Sequence, residues 1–176
     1  MIRIAIAIFG VIALTQNARA ADPIKIPFPV VQLAFKTAKC TIELQDEERT
    51  EVEELGGGLK LVEIYCWRAA YQAGSIFLAV DPKATGKARL LRFHEWSSDK
   101  KRLISVYSLS NPSFDATKKT MNMGHKGRGM GDCGVAGEWT WTGKDFMLTR
   151  FWNKPDCDGQ PFDDDKKLQV YPPRGR

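Results

Sequence analysis

Four cysteines, each at least 24 residues from the next, constrain the fold of this 176-residue chain more than any other feature. Zinc sites usually place their cysteines in close pairs such as Cys-x-x-Cys, so this spacing argues against a bound metal. An even number of cysteines in an exported chain predicts two disulfides, which can form in three pairings. Sequential pairing, Cys40 with Cys66 and Cys133 with Cys157, is favoured. It closes loops of 26 and 24 residues, each worth about 3 kcal/mol of stability.

The N-terminus has the composition of an export signal. Arg3 precedes an apolar run over residues 4–14, and Ala18 and Ala20 place small residues where a signal peptidase cleaves. The run is too short to span a bilayer, which takes about 20 apolar residues. We therefore predict a signal peptide over residues 1–20, a periplasmic or secreted protein without a stable membrane anchor, and a single domain over residues 21–176.

The charge of the mature chain argues against nucleic acid as a partner. Removal of Arg3 and Arg19 leaves 26 − 2 = 24 basic residues against 21 acidic ones, so the net charge falls from +5 to +3. A nucleic-acid-binding domain is expected to be more strongly basic, with its charge clustered on one face. Neither a P-loop nor a dinucleotide-binding fingerprint is present, and we expect no cofactor.

Hydrophobic periodicity predicts an α+β fold, a small antiparallel β-sheet domain with one or two N-terminal helices and two disulfides. Apolar residues recur at helical spacing over residues 29–39, and the acidic stretch 45–55 is predicted to be a second helix with a solvated face. The predicted strands cover residues 59–66, 75–80, 88–96, 103–109, 138–142, 146–152 and 168–171. A turn at Thr142–Asp145 predicts a hairpin between two of these strands.

The segment 124–134, which is predicted to be one basic glycine-rich loop, is the strongest candidate for a binding site, because five of its eleven residues are glycine. Backbone N–H groups in such a segment can turn toward a ligand, and basic side chains add positive charge, so an anion is the expected ligand. The alternative is a purely structural connection beside a disulfide, with an aspartate that caps a turn. The candidate ligand-binding residues are His125, Lys126, Arg128 and Asp132.

No catalytic residue can be assigned from the sequence. A Cys133–His125 nucleophile pair needs a free thiolate, which the even cysteine count disfavours. A hydrolase would need Asp132 and His125 to converge with another carboxylate in a water-accessible pocket. Six aromatic residues could form a glycan-stacking platform, although such residues more often fill a core: Trp67, Tyr71, Trp139, Trp141, Phe151 and Trp152.

The chain resembles the bacterial secreted family called domain of unknown function 1176. The resemblance rests on Lys126–Gly134, on Trp139–Gly143 with Phe146 and Leu148, and on Cys157 followed by Gly159. It extends upstream through residues 27–34, Cys40, Cys66 and residues 69–71, and it covers most of the mature chain. It corresponds to the C-terminal half of typical members, which carry six cysteines. Trp67, Arg68 and Gln72 depart from the family pattern.

This resemblance implies export and a cysteine framework, and it supplies no reaction. The leading hypothesis is a non-enzymatic binding module that presents the glycine-rich segment to an anionic ligand or a protein partner. An inhibitor of an envelope-attacking hydrolase is one form of it. The alternatives are an envelope hydrolase and a structural envelope protein without a ligand.

Overall fold

The computed structural model describes residues 24–42, 51–162 and 167–172. The predicted signal peptide, most of the acidic stretch and Asp163–Asp165 lie outside these ranges. Within these ranges, one α-helix, α1 (Phe28–Ala38), precedes twelve strands. The first six strands are β1 (Glu51–Gly56), β2 (Leu59–Arg68), β3 (Ala73–Val80), β4 (Arg89–Leu90), β5 (Phe93–Ser97) and β6 (Arg102–Val106). The others are β7 (Ser108–Ser110), β8 (Ser113–Asp115), β9 (Thr120–Lys126), β10 (Gly134–Trp141), β11 (Phe146–Lys154) and β12 (Gln169–Tyr171).

Helix α1 forms where the sequence predicts it. Pro27 precedes its first turn and Pro29 lies within that turn, where the missing N–H groups would have had no helical partner. Lys39 ends the helix in the left-handed conformation. Val31, Ala34 and Phe35 are buried on one side, at the spacing expected for one helical face. No helix in the described ranges is long and apolar enough to cross a bilayer.

The first sheet has the order β1-β2-β3-β4, and β7 also pairs with β3. Helix α1 covers one face of this sheet, where its buried side chains meet Val62, Ile64, Cys66, Ile76, Leu78 and Val80. The other face carries Leu61, Phe77 and Ala79. Strand β3 is therefore buried on both faces, which explains its nearly continuous apolar sequence.

The second sheet has the order β12-β11-β10-β9-β8 and packs against the free face of the first. Its contribution to the shared core includes Met121, Met123, Trp139, Phe146, Leu148 and Phe151. The β5–β6 hairpin adds Phe93, whose ring meets Trp139 edge to face at 5.7 Å. The indole N–H of Trp139 donates to the carbonyl of His94 at 2.8 Å, so the polar group of this large buried side chain has a hydrogen-bond partner. The protein thus has three layers: helix, sheet and sheet.

The predicted fold class is confirmed, and two local predictions are wrong. Residues 51–55 form strand β1 instead of a second helix, because Val52 pairs with Val62 and Leu55 enters the core. The glycine-rich segment 124–134 is not one loop, since β9 continues to Lys126 and β10 begins at Gly134. The loop proper, called here the glycine loop, comprises residues 127–133. The predicted Thr142–Asp145 turn does join β10 to β11.

Both disulfides have the favoured sequential pairing. Cys40–Cys66 ties the end of α1 to β2, and Cys133–Cys157 ties the glycine loop to the segment after β11. No cysteine is free, so a Cys133 thiolate is excluded as a nucleophile. Two structural disulfides indicate a non-cytoplasmic protein, because the cytoplasm keeps thiols reduced.

Candidate functional site

The glycine loop is held in one conformation by the backbone and by a disulfide. The N–H of Gly127 donates to the carbonyl of Cys133 at 2.8 Å, which closes the loop at its base. The N–H of Gly131 donates to the carbonyl of Arg128 at 2.9 Å, which forms a tight turn at its tip. The loop is therefore a fixed projection from the end of the β9–β10 hairpin.

An ion pair between a buried aspartate and a half-exposed arginine holds this loop. The side chain of Asp132 is 4% exposed and accepts a hydrogen bond from Nε of Arg128 at 2.7 Å. Asp132 also accepts from the N–H of Gly159 at 2.7 Å, and Arg128 donates to the carbonyl of Cys157 at 3.0 Å. The Arg128 guanidinium and the Gly159 N–H hold the pKa of Asp132 well below its usual range. The positive charge of Arg128 is thus balanced within the loop.

We expect Asp132→Asn to lower the melting temperature more than Asp145→Asn, which removes the exposed ion pair with Arg89. The substitution removes the hydrogen-bonded counter-charge of the Arg128 guanidinium and puts a neutral amide in the buried position of the carboxylate. A depressed pKa contributes stability above the unfolded-state pKa, and this is lost as the pH falls. In thermal unfolding, the difference in melting temperature between Asp132→Asn and wild type should become smaller below about pH 3.9. Equal effects of the two substitutions at pH 7 would contradict a structural role for this pair.

His125 and Lys126 lie on the other side of the loop, in a cleft of about 340 Å³ called here the basic cleft. Four separate parts of the chain line it: the β2–β3 turn, the segment after β7, the β9–β10 hairpin and the segment after β11. The lining residues are Tyr71, Asn111, Gly124, His125, Lys126, Gly131, Val135, Ala136 and Phe162. None of these described lining residues is acidic.

The imidazole of His125 is held in place by a buried hydroxyl. Its Nδ1 lies 2.9 Å from Oγ of Ser110, a residue that is only 7% exposed. Either atom can donate in this hydrogen bond, depending on the tautomer of the imidazole. The contact orients the ring of His125 at the cleft.

Two side-chain amides fix the backbone beside this histidine. Gln72 accepts from the N–H of Lys126 at 3.0 Å and donates to its carbonyl at 3.4 Å. Asn111 donates to the carbonyl of Gly124 at 3.0 Å and accepts from the N–H of Ala73 at 3.2 Å. These contacts join the ends of the two sheets, so the cleft is built on both.

The ammonium of Lys126 forms no ion pair or hydrogen bond with any described residue. A Cβ added to Gly131 would lie 3.5 Å from Cδ and Cε of this lysine, so its stem runs along the loop. Tyr71, which is 64% exposed, packs against Gly129 and forms an aromatic wall; Phe162 lies in a second wall. In the part of the chain that the structure describes, the cleft thus combines a lysine without a partner and aromatic surface.

Of the four predicted site residues, the structure brings His125 and Lys126 into the basic cleft and pairs Arg128 with Asp132 away from it. The hydrolase hypothesis required Asp132 to reach a water-accessible pocket with His125, and Asp132 is instead buried in its ion pair. Sequence reasoning missed Asn111 and Phe162, which no local motif marks. Among the described residues, no group of His, Cys, Asp or Glu could hold a metal ion.

The predicted aromatic platform is for the most part core. Trp139, Phe151 and Trp152 are buried, and the Trp67 ring packs directly over Gly74. Tyr71 is the member of that group that reaches solvent at the cleft.

Comparison with known proteins places the chain beside others that lack an assigned activity. The model of a family described as "Protein of unknown function (DUF1176)" matches residues 12–172. The uncharacterized protein YpfG of Escherichia coli strain K12 is 27% identical over 120 residues, which cover 68% of this chain and 34% of that relative. The chain therefore spans about a third of the length of the curated relative it matches. No solved structure matches it.

Proposed function

This chain belongs to the family described as "Protein of unknown function (DUF1176)", and we propose that it is a periplasmic or secreted binding module that takes an anionic ligand in the basic cleft. The observation that carries the proposal is the ammonium of Lys126, which has no partner among the described residues and lies in a cleft whose described lining has no acidic residue. The export-type N-terminus and the two disulfides support the location.

The chemistry of the lining favours a ligand with one anionic group joined to a ring. Lys126 supplies a charged donor, and the imidazole of His125, oriented by Ser110, supplies a second polar group beside it. Tyr71 and Phe162 offer apolar surface that a planar or cyclic group can cover. Arg128 acts in this proposal through the shape of the loop, since Asp132 already occupies its guanidinium.

The ligand carries its charge on an end that enters the cleft and its ring against the aromatic walls. A protein partner would satisfy the same requirements with a C-terminal or side-chain carboxylate beside an aromatic residue. An inhibitor of an envelope-attacking hydrolase would use the exposed loop residue Met130, which is 73% exposed, as an apolar contact beside the cleft.

A titration with phenylacetate tests the charge requirement, and phenylacetamide serves as its neutral match. We expect phenylacetate to bind in the basic cleft and phenylacetamide to bind about tenfold more weakly, since a charge-assisted hydrogen bond contributes about 1.5 kcal/mol. Lys126→Gln should weaken phenylacetate binding by a similar factor and leave phenylacetamide binding unchanged. Backbone amide chemical shifts in NMR spectra provide the measurement.

Lys144→Gln is the control variant, because Lys144 is an exposed lysine in the β10–β11 turn, at the opposite end of β10 from Val135 and Ala136 in the cleft. It should bind phenylacetate as the wild type does. Equal affinity for phenylacetate and phenylacetamide, or equal losses in the two lysine variants, would overturn the proposal.

A further inference from the structure

Gly124 differs from the other four glycines of the segment 124–134, because nothing in the described structure requires glycine at its position. Its φ lies outside the left-handed region, and a Cβ added to it would meet nothing within 4 Å. Each of the others either has a positive φ or would place an added Cβ within 3.2 Å of a neighbouring side chain: Gly127, Gly129, Gly131 and Gly134.

Glycine is an unfavourable residue at this point of the fold. Gly124 lies inside β9, whose register with β10 runs without a shift from Thr120 to Lys126, so no β-bulge accounts for it. Glycine in a strand loses more backbone freedom on folding than alanine and packs no side chain. Within strands, glycine also occurs where a ligand approaches the backbone closely, and Gly124 lines the basic cleft. The missing side chain therefore has its effect in the cleft.

Gly124 and Ala136 form a flat floor in the basic cleft. They pair directly across β9 and β10, so the methyl group of Ala136 and the open space beside Gly124 lie on the same side of the sheet. Trp152 on β11 pairs with Ala136 and borders the floor. Lys126 lies two residues after Gly124, so it is on this side too, about 7 Å along the strand. One small ligand can reach both the floor and the ammonium of this lysine.

We propose that Gly124 is the specificity-determining residue of the basic cleft and that the ligand is a small aromatic carboxylate. This specificity rests on the anion site proposed above. The ring lies flat on Gly124 and Ala136, and the carboxylate binds the ammonium of Lys126. The whole face of a planar ring contacts the two strands, whereas a puckered ring, as in a sugar acid, contacts them through a few atoms. Aromatic side chains cover strand glycines in the same way within proteins.

Titration with phenylacetate and cyclohexylacetate, followed by NMR, tests the requirement for a planar ring, because the two acids share their charge and differ in the ring. We expect the wild type to bind cyclohexylacetate about fivefold more weakly than phenylacetate. Gly124→Ala should bind the two acids with affinities within about twofold of each other, and Gly124→Val should bind phenylacetate about tenfold more weakly than the wild type. Lys126→Gln should weaken the binding of both acids by the same factor, because it removes the charge and leaves the floor.

Gly86→Ala and Gly86→Val are the matched controls. Gly86 lies in an exposed turn before β4 and does not line the cleft, and an added Cβ there also meets nothing within 4 Å. Both controls should bind the two acids as the wild type does. Gly124→Ala should raise the melting temperature by about 2 °C, because alanine is more favourable than glycine in a strand.

Wild-type affinity for phenylacetate in Gly124→Val would overturn this specificity and leave the proposed anion site intact. Equal affinity of the wild type for the two acids would do the same. A fall in the melting temperature of Gly124→Ala would also overturn it, because the fold would then require this glycine. Failure of the wild type to bind phenylacetate, or unchanged binding by Lys126→Gln, would overturn the anion site and the specificity together.

Discussion

Replacement of Gly134 with alanine is expected to lower the free energy of unfolding by about 3 kcal/mol, through strain and a close contact that no rotamer change can relieve. Gly134 has a φ of +140°, and a Cβ at this position would lie 2.0 Å from the carbonyl oxygen of His125. That oxygen belongs to the backbone of the neighbouring strand β9, so the two strands must separate. The separation would also move His125 and the base of the glycine loop.

Gly143→Ala isolates the contribution of the contact. Gly143 also has a positive φ, +90°, but nothing lies within 4 Å of its added Cβ. The free energy of unfolding of Gly143→Ala should fall by only about 1 kcal/mol, the conformational cost of alanine at a positive φ. Urea unfolding of both variants provides the comparison, and an equal loss in the two would show that close approach at Gly134 is not what requires glycine.

Replacement of Glu95 with glutamine is expected to stabilise the protein at pH 8 by up to about 3 kcal/mol and to have little effect at pH 4. Glu95 lies in β5 opposite Ile104 and, by strand alternation, on the same side as the buried Phe93. Burial raises the pKa of its carboxyl from 4.5 to about 7. The folded state therefore holds a proton that the unfolded chain releases.

The direction of this pH dependence is set by the folded state, which binds the proton of Glu95 more tightly than the unfolded chain does. Below pH 4.5 the carboxyl is neutral in both states and costs nothing. Between pH 4.5 and 7 the unfolded chain ionises first, so the wild type loses stability as the pH rises, and above pH 7 the loss is complete. Glutamine cannot ionise and avoids this loss. Urea unfolding at both pH values measures it, with the exposed Glu53→Gln as control. A pH-independent difference between Glu95→Gln and wild type would contradict the assignment.

Local sequence rules predicted the elements whose stability is local. Helix α1 follows from apolar spacing and its N-terminal prolines, and the β10–β11 hairpin follows from its turn residues. The disulfide pairing follows from export and sequential spacing. The residues that determine the helix and the hairpin lie within a short stretch of sequence. The disulfides stabilise the fold by restricting the unfolded chain.

Strands β1, β8 and β9 were missed, and β1 and β9 show how the pairing of a strand can depend on distant residues. The sequence Glu51–Gly56 has the glutamate content of a solvated helix, and its partner β2 supplies the apolar contact that makes it a strand. Strand β9 alternates Met121 and Met123 into the core, but its threonine, asparagine and glycine resemble a loop. Tertiary contacts override propensity in both.

The residues of the basic cleft were likewise predicted only in part from the sequence. Lys126 and His125 stand out in the sequence because of the surrounding glycines. The fold decides which of the two cations, Lys126 or Arg128, has an acidic partner among the described residues. Arg128 reaches Asp132 only because the loop bends back, and the spacing alone cannot show it. Asn111 and Phe162 arrive from segments far apart in sequence, so their contribution is a property of the packed sheets.

The position at which phenylacetate binds shows whether the basic cleft is the anion-binding site, because several other clefts and lysines compete for an anion. In an NMR titration of the wild-type protein, the amides of Gly124, His125, Gly131 and Ala136 should shift together and saturate with one dissociation constant. Shifts that are scattered over the exposed lysines, or that centre on Lys36 and Lys39 beside α1, would contradict a binding function for the basic cleft.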